Sequence, residues 1–91
     1  MPVEVKIPPM LRTHVGGERV LSAPSGALRE VLSDLGSRYS GLAEQVFADD
    51  GSLHRFVNVY VNDEDVRFLD GLDTKVGDGD VVAILPAVAG G

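Results

Sequence analysis

Leu28, Val31, Leu32, Leu35, Tyr39 and Leu42 recur at spacings of three and four, which draws one apolar stripe along a helix. A lone stripe has to be buried against another element, and its flanks are patterned as strands. Before it, Val3, Val5 and Ile7 alternate with Glu4 and Lys6. Pro8-Pro9 has no N–H to give a ladder and should end that strand. A second strand is expected at Arg19 to Ala23, after Gly16-Gly17, whose tolerance of positive φ suits a hairpin turn. Ser25 stands where a helix N-cap is needed. Gly36, inside the stripe, marks a place for the helix to end or bend, with a short helical turn following through Leu42 to Phe47.

Beyond the Asp49-Asp50-Gly51 turn signal, Phe56 to Val61 is the strongest strand, rich in β-branched and aromatic residues. Val57, Val59 and Val61 should share one face, and Phe56, Asn58 and Tyr60 the other. Asn62-Asp63 reads as a turn and Glu64 to Arg67 as a short return strand. Gly71 to Gly79 reads as loop, and Val81 to Leu85 as a last strand that Pro86 stops. The order is hairpin, helix, strand pair, final strand. It predicts an α+β fold, a mixed sheet with one main helix packed across it, and the long crossover lets the first and last strands pair in parallel. Ubiquitin-like β-grasp domains have this order. Ninety-one residues supply one modest core, so the expected organisation is a β-grasp domain over residues 1–86 and a flexible tail over 87–91.

Composition narrows the function. A net charge of −6 argues against nucleic acid, which needs clustered Lys and Arg, and favours a protein partner with a basic docking face. The chain has no cysteine, so disulfides and thiolate metal sites are not expected, and any sulfur it handles must be brought from outside. No apolar run reaches membrane-spanning length, and MPVEVKIPPM lacks the features of a secretion signal, so a cytoplasmic location is expected.

Candidate catalytic groups fare poorly. His14 and His54 stand far apart with no third ligand pattern beside them. Asp63-Glu64-Asp65 and the pair Asp78 and Asp80 fall on turns of an acidic chain, where solvated charge or docking is the simpler role. Ser25 and Ser40 have no His/Asp arrangement around them, and Gly77-Asp78-Gly79 lacks the Lys-Ser/Thr of a phosphate loop. An enzyme is not expected, nor a metal site.

The run Leu85-Pro86-Ala87-Val88-Ala89-Gly90-Gly91 closes the chain. With Ile7-Pro8, Leu11-Arg12, Leu53-His54-Arg55-Phe56-Val57-Asn58, Tyr60 to Arg67 and Gly79-Asp80, it resembles the ThiS/MoaD family of sulfur carriers, and within it the carriers of actinobacterial cysteine biosynthesis. The resemblance implies a β-grasp body without catalysis of its own, and sulfur held as a thiocarboxylate on Gly91. It implies an adenylyltransferase/sulfurtransferase like a ubiquitin-activating enzyme, which uses ATP, while the carrier binds no cofactor. It also implies an acceptor such as a PLP-dependent cysteine synthase and a processing metalloprotease. A thiosugar synthase, molybdopterin or thiazole formation are alternative destinations, because the acceptor decides the product.

The tail suits this chemistry. Gly90 and Gly91 lack Cβ and can thread a narrow channel. Pro86 to Gly91 reach roughly 20 Å when extended. Ala87, Val88 and Ala89 bring small apolar side chains and no charge into a groove. A docking surface is expected around Phe56, Tyr60 and the Asp63, Glu64, Asp65 turn. The rival readings are a ubiquitin-like protein modifier joined through Gly91 and a plain interaction module.

Overall fold

A computed structural model describes residues 2–86. Strands β1 (Val3–Lys6), β2 (Val20–Ala23), β4 (Val57–Val61), β5 (Glu64–Asp65) and β7 (Val81–Pro86) make a five-stranded sheet in the order β2-β1-β7-β4-β5. A second, two-stranded sheet joins β3 (Gly26–Ala27) to β6 (Lys75–Val76). Helices α1 (Leu28–Arg38) and α2 (Ser40–Val46) cover one face. β1 and β7 run parallel and every other pairing is antiparallel. This is the expected β-grasp, with the first and last strands adjacent at its centre.

The patterns read from the sequence explain the core. Val3, Val5 and Ile7 point inward, as do Val59 and Val61, and Val82 and Ile84 on β7. They meet Leu28, Val31, Leu32 and Leu35 of α1 and Leu42 and Val46 of α2. The apolar stripe is therefore one surface shared between two helices.

Several local details differ from expectation. Ser25 does not cap α1, because Gly26 and Ala27 stay extended to pair with Val76 and Lys75. Ala27 takes the cap position instead, and Glu30 Oε1 accepts its N–H at 3.0 Å. Gly36 does not end the helix, which runs on to Arg38. Its role is spatial: a Cβ there would lie 2.8 Å from the Cβ of Ala43, so glycine lets α2 fold back against α1. Gly16 and Gly17 do have positive φ, but they close a 3-10 helix over Pro9–Val15 that separates β1 from β2, and no tight hairpin forms. The return strand after Asn62-Asp63 stops at Asp65, where a 3-10 helix over Val66–Phe68 begins. The expected loop 71–79 holds a 3-10 turn and β6. β6 is too short to show a period.

Candidate functional site at the end of the central strand

β7 lies between β1 and β4 and carries the chain out of the middle of the sheet. Its start is pinned by the β4–β5 turn. Asn62 and Asp63 both have positive φ, at 49° and 72°, the signature of a type I′ hairpin turn. Asn62 donates its N–H to the Val81 carbonyl at 2.8 Å and accepts the Val81 N–H on Oδ1 at 3.0 Å. Its Nδ2 reaches Asp80 Oδ1, whose other oxygen accepts the Gly77 N–H at 2.8 Å. Those donors hold the Asp80 carboxyl below the usual carboxylate range, the Gly77 N–H contributing most and Asn62 next.

At the other end, Pro86 pairs with Val57 as the last residue of β7. The Asn62–Val81 hydrogen bond sets the alternation of the ladder, so Asn58↔Leu85 is a bonded pair and Val57↔Pro86 a non-bonded one. The N–H that proline lacks is therefore not one that β4 would have used. Pro86 extends the strand by one position beyond expectation, at no loss to that ladder.

Around Pro86 lies a groove of about 250 Å³ lined by Met10, Leu11, Gln45, His54, Phe56 and Leu85, among others. Met10 is 61% exposed, Phe56 50% and Leu85 43%, an apolar rim where the chain leaves the sheet. Phe56 is held by its neighbours: its N–H donates to His54 Nδ1 at 3.2 Å, and the two rings lie 5.1 Å apart. The Arg55 guanidinium sits 5.1 Å from the Phe56 ring centre. His54 is thus a support for Phe56. His14 lies in the 3-10 helix, where its ring occupies the space a Cβ on Gly41 would need.

The expected docking residues are spread along β4. Phe56 precedes the strand, Tyr60 is its last residue but one, and the turn at Asp63 lies roughly 20 Å along the strand from Phe56 at the usual rise per residue. Phe56 belongs to the Pro86 end; Asp63 and Glu64 are exposed at the far end. Asp65 is a correction, because its side chain is only 8% exposed. It accepts from the Arg67 N–H and from the Arg67 guanidinium at 2.7–3.2 Å, bonds that hold its carboxyl below the ordinary range and raise the arginine in return. A carboxylate spent on its own chain offers nothing to a partner. Met10 and Leu85 were missed, since single exposed apolar residues carry no signal until the fold sets them side by side.

Ala87, Val88, Ala89, Gly90 and Gly91 lie outside the described residues. Among the described residues, no group of three His, Asp or Glu could hold a metal ion, and no helix is long and apolar enough to cross a membrane.

The model of the ThiS family matches residues 5–91. The chain belongs to the ThiS family. This ThiS-family chain is 56% identical to the sulfur carrier protein CysO of Mycobacterium tuberculosis, over the full length of both. It superposes on the CysO of the Amycolatopsis orientalis BexX/CysO complex with a TM-score of 0.88, at 52% identity, covering 98% of this chain and 99% of that one. It also superposes on the small archaeal modifier protein 1 of Methanosarcina acetivorans with a TM-score of 0.84, at 33% identity, covering 98% and 95%.

Proposed function

We propose that the chain carries sulfur for biosynthesis on the carboxyl group of Gly91. The observation that carries this reading is the full-length identity to a CysO, joined to a body whose central strand leads straight into Ala87-Val88-Ala89-Gly90-Gly91. A carboxylate is a poor electrophile. An activating partner joins it to AMP from ATP, releasing pyrophosphate, and sulfide then displaces AMP to leave a thiocarboxylate. The chain is the substrate of these steps, and its own part is to supply the carboxyl group and offer the rim of Met10, Phe56 and Leu85 for docking.

A protein acceptor takes the sulfur next. The likeness to CysO puts a PLP-dependent cysteine synthase first, with a metalloprotease to release the product from the carrier. A CysO this similar is solved in complex with BexX, which supports a dedicated acceptor protein and keeps a thiosugar synthase as the alternative. The likeness to an archaeal modifier favours one second reading, attachment of Gly91 to lysines of other proteins.

Intact-mass analysis of the chain from its native host, with and without ATP and sulfide in extract, tests both. A carrier gains the difference between one sulfur and one oxygen at its terminus, and a Gly91→Trp variant does not. Chain found only on larger conjugates would overturn the carrier reading in favour of the modifier.

A further inference from the structure

β2 is an outer strand of the five-stranded sheet and pairs with β1 alone. The opposite outer strand, β5, is only Glu64 and Asp65, so β2 offers the longer free edge. The Ile7 N–H donates to the Arg19 carbonyl at 2.8 Å, which sets the alternation of bonded pairs along β1 and β2. In that register Leu21 and Ala23 turn their backbone groups toward Val5 and Val3, whereas Val20 and Ser22 turn theirs out to the edge. The Val20 and Ser22 N–H groups meet no acceptor among the described residues. Pro24, next along the edge, has no N–H to offer.

One of the outward groups is covered. Arg38, the last residue of α1, donates from Nη2 to the Ser22 carbonyl at 2.6 Å. The same nitrogen meets Asp34 Oδ2 at 2.9 Å, one turn back along the helix, so the guanidinium is held over the edge. Both side chains share an open hollow with Pro2, Ser22, Ala23 and Pro24. A surface ion pair of this kind contributes little to stability. Its position matters more.

An uncovered antiparallel edge is complementary to a second copy of itself. With Leu21 on the two-fold axis, Val20 of one copy stands opposite Ser22 of the other. Each Val20 N–H then needs the other copy's Ser22 carbonyl, which is the group that Arg38 occupies. We propose that Arg38 is a guard on this edge, and that the surface it closes fits β2 of a second copy. Asp34 holds the guard in place, and Pro24 limits how far such a ladder could run. The inference stands apart from the carrier reading, because it concerns the outer strand and not the end of β7.

Sedimentation equilibrium of the full chain tests it. The wild type should stay monomeric, and Arg38→Ala should dimerise at least about tenfold more tightly, the worth of the hydrogen bonds recovered at Ser22. Arg38→Lys should stay monomeric, since a lysine over an edge serves the same end. Adding Ser22→Pro to Arg38→Ala should restore the monomer, because it removes an outward N–H that β1 does not use. Hydrogen exchange reads the register independently, even if the proline variant fails to fold. The Val20 and Ser22 amides should exchange more slowly in the Arg38→Ala dimer than in the wild-type monomer. An Arg38→Ala chain that stays monomeric, or a dimer in which those two amides remain fast, overturns the proposal. So does a wild type that already dimerises through this edge, for Arg38 would then guard nothing.

Discussion

Asn62 and Asp80 stand eighteen residues apart and meet at 3.1 Å, Nδ2 to Oδ1, tying the β4–β5 turn to the residue just before β7. The same amide accepts the Val81 N–H, so one side chain sets where the central strand begins.

The pH dependence follows from that tie. The carboxyl groups of Asp80 and Asp65 are held below their ordinary value in the folded chain, so unfolding takes up protons once the pH nears the unfolded value of about 4. Their contribution is complete above that pH and is lost as the pH falls through the lower folded values. Thermal melts between pH 7 and pH 2.5 should show Tm falling below about pH 4. Asp80→Ala should have a lower Tm at pH 7 and a shallower fall in acid. A parallel curve would contradict the tie.

Gly36→Ala inverts the usual helix rule. Alanine normally gains about 1 kcal/mol over glycine inside a helix. Here the new methyl would meet Ala43 at 2.8 Å, and overpacking of that kind should make the variant roughly 1–3 kcal/mol less stable. Urea unfolding measures the difference, and the double variant with Ala43→Gly should recover most of it.

Asp63→Gly should stabilise the chain. Asp63 sits at φ 72° and makes no side-chain hydrogen bond among the described residues, while its neighbour Asn62 holds Val81 and Asp80. Glycine adopts that conformation freely, so a gain of about 0.5–1 kcal/mol is expected by urea unfolding. Asn62→Gly, which discards the ties, should lose stability.

Leu85→Asp separates docking from folding. Leu85 points outward and is 43% exposed, so Tm should shift by only a few degrees. If the rim at Pro86 guides the tail into the activating partner, conversion to the thiocarboxylate, followed by mass, should slow at least about tenfold. Unchanged conversion would move the docking surface elsewhere.

Periodicity made the body legible. Val3, Val5 and Ile7, the α1 stripe and Val59 and Val61 all face the core as their spacing required, because alternation and the three-four rhythm report directly on burial. Elements of two residues, such as β3 and β6, have no period to read, and their pairing displaced the helix cap from Ser25 to Ala27. The tail was legible as a string of residues. Its surroundings were not: Met10 and Leu85 lie seventy-five positions apart in the sequence and become neighbours only when β7 enters between β1 and β4. Asp65 misled for a related reason, since its acid neighbours hid a side chain that turns in toward Arg67.

The place of β7 also bears on how the chain gets made. The strand that both β1 and β4 need as a neighbour spans residues 81–86, so the sheet's two halves share no ladder until that late segment has been made. Pairing Val5 with Val82 closes a long loop. Folding should be slower than for a helical bundle of similar size, and a ribosome-bound fragment stopping short of Val81 should expose its valines to proteases and to other chains.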